Sequence, residues 1–84
     1  MSKMTEFEIY EKATIERGGI WNELQKRGHF ALYTTGGQFI YNGRMYNDVY
    51  VYRIFEDGKL RFASSDYGAT LDQFERWTRG VHHG

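Results

Sequence analysis

The sequence contains no cysteine and no proline. Without cysteine there is no disulfide scaffold, no iron–sulfur cluster, no thiolate zinc site and no Cys nucleophile. Charge of one sign is missing too: 11 Lys and Arg balance 11 Asp and Glu, for a formal net charge of zero. A general polyanion binder carries a basic excess, so that class starts at a disadvantage. No apolar run approaches the roughly 18 residues of a membrane span. The start, Met1-Ser2-Lys3-Met4-Thr5-Glu6, has no signal-peptide pattern, so a soluble cytoplasmic protein without membrane partners is expected. Histidine is scarce: His29, and the adjacent His82 and His83 in a short polar tail. A specific metal site needs three or four ligands in fixed geometry, so neither a metal nor another cofactor is expected.

Aromatic residues, in contrast, are abundant. Seven Tyr, six Phe and two Trp make up 18% of 84 residues, which argues against intrinsic disorder. The length predicts one small domain spanning residues 1–84. Such a domain buries only roughly 60–65% of its unfolded surface, so some rings are expected to stay outside and mark a contact surface.

The capping box Thr5-Glu6-Phe7-Glu8 predicts a first helix, with Phe7, Tyr10, Ala13 and Thr14 at helical spacing. Gly18-Gly19 ends or kinks it. Ile20, Trp21 and Leu24 then share a helical face with Gly28 as the C′ residue, so residues 6–27 read as two short helices or one kinked helix. From His29 the period becomes two. Strands are predicted over His29–Thr35, Gln38–Tyr41, returning at Arg44–Tyr46, Val49–Glu56 and Lys59–Ser64. Gly36-Gly37 is a turn, Asn47-Asp48 a bulge or second turn, and Asn42-Gly43 and Asp57-Gly58 are type I′ hairpin signals. Ser65–Ala69 is a loop. Thr70-Leu71-Asp72-Gln73 is a second capping box opening a helix with Leu71, Phe74 and Trp77 on its apolar stripe and Gly80 at its end. An α+β domain follows: a four-stranded antiparallel meander with the N-terminal and C-terminal helices packed on one face.

A two-residue turn at Asp57-Gly58 sets Glu56 opposite Lys59, Phe55 opposite Leu60, Ile54 opposite Arg61 and Arg53 opposite Phe62. Val49, Val51, Phe55, Leu60 and Phe62 then form the core face. Tyr50, Tyr52, Ile54, Arg61 and Ala63 form the other, which is expected to stay open.

Three functions compete for that open face. Tyr, Trp and Arg dominate protein–protein hot spots, so Arg44, Tyr46, Tyr50, Tyr52 and Arg61 are the candidate partner-binding residues, with Trp21 and Trp77 assigned to the core. A homodimer paired across an exposed edge such as Gln38–Tyr41 fits the same pattern. Single-stranded nucleic acid is the alternative, since rings stack on bases and arginines meet phosphates, but the basic excess and an RNP motif are missing. A ribonuclease-like site drawing on His29, Arg53, Arg61 and Tyr52 is the third. Thr34-Thr35-Gly36-Gly37 and Ser64-Ser65-Asp66 lack a nucleophile elbow and a histidine base, so no enzymatic activity is expected.

The hairpin Phe55-Glu56-Asp57-Gly58-Lys59-Leu60 leading into Thr70-Leu71-Asp72-Gln73-Phe74-Glu75-Arg76-Trp77 resembles the ending of compact α+β anti-CRISPR proteins. These belong to the small inhibitors that phages and other mobile elements direct at host machinery. The resemblance implies a mode and no residue roles: a rigid domain, acting in the host cytoplasm, that covers a surface of a host defence protein or nucleoprotein complex without chemistry of its own.

Overall fold

The computed structural model describes residues 3–80, and the side chains of all of these except 38–41 and 46–49. Helix α1 (Glu6–Glu16) is followed by strands β1 (Ile20–Arg27), β2 (Phe30–Tyr41), β3 (Arg44–Glu56) and β4 (Lys59–Ser64), then helix α2 (Tyr67–Thr78). The four strands form one antiparallel sheet in the order β1-β2-β3-β4. The α+β class, the four-stranded meander and the helix at each end agree with the sequence reading. The tail carrying His82 and His83 lies outside the described residues.

The membership of the sheet differs. Ile20–Arg27 is a strand, where the sequence predicted a second helix or the end of a kinked one. Glu23, Leu24, Gln25, Lys26 and Arg27 are good helix formers, but pairing along β2 outweighs that weak preference. Gly28, at φ 58°, takes the first place of a two-residue turn rather than a helix C′ position. Gly36-Gly37 does not turn the chain. Both residues have positive φ (93° and 87°), and β2 runs on through them with a register shift against β3. The interruption around Asn47-Asp48 is the other side of that same bulge. Asn42-Gly43 and Asp57-Gly58 are hairpin turns as expected, with positive φ at all four positions.

Helix α1 begins at its capping box: the Glu8 amide donates to Thr5 Oγ1 at 3.2 Å, and the Thr5 amide donates to Glu8 Oε1 at 2.8 Å. Its start is tied to the β3–β4 turn, because the Phe7 amide donates to the Gly58 carbonyl at 2.9 Å and the Leu60 amide to Glu6 Oε1 at 2.9 Å. Helix α2 starts one turn earlier than predicted. Asp66 caps it by accepting from the Ala69 amide at 3.1 Å. Thr70 is therefore inside the helix, buried, with its hydroxyl donating to the Asp66 carbonyl.

The two helices lie on opposite faces of the sheet, which corrects the expectation that both pack on one. Ile54 and Phe55 are consecutive on β3, so their side chains point to opposite faces, and both are buried. Phe55 meets Phe7 of α1 at a centroid distance of 5.0 Å, in a cluster with Tyr10, Trp21 and Tyr33. Ile54 and Leu32 form the other core with Phe74 of α2, flanked by Phe30, Tyr52, Phe62, Leu71 and Trp77. The reason is a bulge. Glu56 pairs with Lys59 and Phe55 with Leu60 as predicted, but Ile54 pairs with Phe62 and Arg53 with Ala63. Arg61 is the extra residue, and it moves Phe62 onto the Ile54 face. That face thereby gains enough apolar surface to hold α2. The rings are thereby divided between two covered faces, Phe7, Tyr10, Trp21, Tyr33 and Phe55 on one and Phe30, Phe62, Phe74 and Trp77 on the other.

Candidate functional site

Residues directly opposite one another in an antiparallel sheet share a face, so the ladder defines rows across it. On the α2 side one row runs Gln25–Leu32–Ile54–Phe62, and α2 lies over it. The next row is Asn22–Thr34–Tyr52–Ser64, and the one beyond is Ile20–Gly36–Tyr50. Helix α2 begins at Tyr67, whose ring lies 5.0 Å from that of Tyr52, and covers nothing further. The last row and part of the middle one therefore stay open.

Four exposed apolar or aromatic side chains belong to this strip. Ile20 is 37% exposed, Leu24 42%, Tyr50 51% and Tyr67 42%. Leu24 is the bulged residue of β1, between Glu23 and Gln25, and with Thr34, Tyr52 and Tyr67 it lines a shallow cavity of about 260 Å³. None of the strip residues carries a charge. Tyr50 is braced from below: a Cβ on Gly37 would sit 2.9 Å from Tyr50 Cε1, so the ring lies directly over the glycine backbone. Gly37→Ala should displace Tyr50 and strain a position at φ +87°, at a cost of roughly 1–2 kcal/mol. A lowered thermal midpoint together with a changed Tyr50 ring environment by NMR checks it.

The predicted site residues separate on this frame. Tyr50 stands on the strip. Tyr52 is half-buried against the α2 core and Tyr67, so it forms the floor. Arg61 pairs with Glu56 and lies 5.7 Å over the Trp77 ring, beside α2 and away from the strip. Arg44 is exposed near the Asn42-Gly43 tip, and the side chains of Tyr46 and Val49 lie outside the described residues. Ile20, Leu24 and Tyr67 were missed, because their segments read as helix and loop. The one available signal was Gly28-His29, which suits a two-residue hairpin turn as well as a helix end.

The set weighed for nuclease chemistry is split across the sheet. His29 lies in the β1–β2 turn, its Nδ1 2.8 Å from Asp57 Oδ1, in a cleft of about 330 Å³ lined by neither Arg53 nor Arg61. Arg53 is under α1, its guanidinium 4.8 Å from the Tyr10 ring centre and its Nε donating to Thr35 Oγ1 at 3.1 Å. Partial burial lowers its pKa, Tyr10 opposes that shift and Arg17 adds to it. Tyr52 and Arg61 are on the other face. Among the described residues no group of three or more His, Asp or Glu is placed to hold a metal ion.

The Tyr33 phenol lies on the α1 side. Partial burial, together with the hydrogen bond from Tyr33 Oη to Glu23 Oε1 at 3.1 Å, pushes the Tyr33 phenol up to about 12. The fold favours the protonated phenol, so its stabilisation is intact below about pH 10, the unfolded value, and is lost as pH rises through about 12. Ultraviolet titration should show the Tyr33 phenol ionising near pH 12, and Glu23→Gln should bring it down.

No helix among the described residues is long and apolar enough to cross a membrane. No protein-family model matches the chain. No curated protein matches it. No solved structure matches it either.

Proposed function

We propose that this chain is a non-enzymatic protein-binding domain that blocks a surface of a larger host protein or nucleoprotein complex in the cytoplasm. The observation that carries the reading is the uncharged strip of Ile20, Leu24, Tyr50 and Tyr67 left open beside α2. Aromatic and aliphatic groups on a rigid sheet, with few charges at the centre, are the chemistry of an interface core. The resemblance to phage inhibitors supports the occluding mode. The strip offers no Arg or Lys to a phosphate backbone, which favours a protein surface over a single-stranded nucleic acid.

The test is capture from host lysate with immobilised wild-type chain, Leu24→Glu and Tyr67→Glu. Both substitutions fall on side chains that are 42% exposed, and a thermal midpoint measured for each variant separates lost binding from lost fold. A partner held by the wild type should be lost by at least tenfold in each variant. Equal capture by all three overturns the assignment of the strip. A labelled single-stranded oligonucleotide should not bind even at low salt, and binding there would restore the nucleic-acid reading.

A further inference from the structure

Beyond Gly36, β2 has no neighbour on its outer side among the described residues: β1 pairs with it only from Phe30 to Gly36. Past the Tyr52–Ser64 pair, β3 likewise has only β2. Residues 37–49 thus extend from the four-stranded body as a two-stranded ribbon closed by Asn42-Gly43. A two-stranded ribbon alone is marginal in water.

The edges of the body are protected and this one is not. β1 carries a bulge at Leu24 and the charges Glu23, Lys26 and Arg27. β4 carries a bulge at Arg61 together with Lys59. Bulges and charged side chains are the usual devices against edge pairing. Gln38-Phe39-Ile40-Tyr41 has no charge, no proline and no register shift against β3 within it, and three of its four residues are strong strand formers.

We infer that the outer edge of Gln38–Tyr41 pairs with the same edge of a second copy, antiparallel about a two-fold axis, to give a four-stranded ribbon at the centre of a homodimer. Charge does not oppose this occupant. A strand without charge meets its own copy without repulsion, in a chain whose net charge is zero. Identical antiparallel edges also form an isologous contact that closes at two copies. The contact is short, well under the roughly 1,200–2,000 Å² of a standard interface, so the dimer is weak and concentration-dependent. It uses the ribbon edge and leaves Leu24 and Tyr67 free, so it stands or falls apart from the docking strip.

The experiment is sedimentation equilibrium of the full chain from about 1 µM to about 500 µM, a span suited to weak association. Hydrogen exchange at both ends of that range accompanies it. Wild type and Leu24→Glu should approach twice the monomer mass, with the amides of residues 38–41 slowed at high concentration. Phe39→Lys and Ile40→Lys should each stay monomeric at the top of the range, with the exchange of residues 50–56 unchanged to show that the body is folded. A wild type that remains monomeric throughout overturns the inference. So does a dimer that survives both lysine substitutions, or one whose added protection falls outside residues 38–41.

Discussion

Phe74→Ala should abolish the cooperative unfolding transition. Phe74 is fully buried and is the one α2 residue in the core cluster with Leu32 and Ile54. Truncating a buried phenylalanine costs about 3–5 kcal/mol, the lost transfer energy plus the cavity left behind. Total stability for a domain is about 5–15 kcal/mol, and a chain this short lies towards the low end. The site has little means of collapse. Thr70 and Thr78 flank Phe74 on the buried side of the helix, and both hydroxyls are committed to backbone carbonyls. Outside the core, α2 is tied to the sheet by the Arg27–Glu75 pair at 3.1 Å, half-exposed and therefore worth little. Denaturant titration followed by Trp77 emission, in a Trp21→Phe background, should show a shallow drift where the parent shows a sigmoid. A retained sigmoid with less than 1 kcal/mol of loss would mean that α2 is not anchored through this ring.

Phe55→Ala should cost a comparable amount on the opposite face. Phe55 is 2% exposed and contacts the rings of Phe7, Tyr10, Trp21 and Tyr33. Its loss combines about 3–5 kcal/mol for the truncation with edge-to-face ring contacts worth about 0.5–1.5 kcal/mol each. These terms overlap and do not add in full. The reporter differs. Trp21 has a buried Nε1 with no hydrogen-bond partner among the described residues, so packing alone fixes its ring. Red-shifted Trp21 emission in a Trp77→Phe background is the expected sign. Phe74→Ala should leave Trp21 less affected at low denaturant, because the two clusters are separated by the sheet.

What could be read from the residues alone divides along physical lines. Local signals worked: Thr5 with Glu8, Asn42-Gly43 and Asp57-Gly58 each specify a geometry within four residues. Signals that depend on a distant partner did not. Residues 20–27 have helical propensity, and only the neighbouring β2 makes them a strand. The bulge at Arg61 is invisible locally, yet it moved Phe62 across the sheet and with it the seat of α2. The candidate site inherited the same split. Alternation along β3 is strong enough to place Tyr50 on the open face. Leu24 and Tyr67 are not legible in the same way, since one is exposed by a bulge and the other by a helix that starts early, capped by Asp66. Arg61 reads as a contact residue from its type and its face, and the bulge sets it beside Glu56 and Trp77, away from the strip.

The placement of the open strip depends on the helices covering opposite faces of one sheet. Ring-to-methyl and ring-to-ring nuclear Overhauser contacts in the isotope-labelled chain measure this directly. The Phe74 ring should contact Ile54 and Leu32 methyls, and the Phe7 ring should contact the Phe55 and Trp21 rings, with no cross-contact between the two sets. Contacts from Phe7 and Phe74 to the same strand residues would put both helices on one side, and the strip beside α2 would not exist as described.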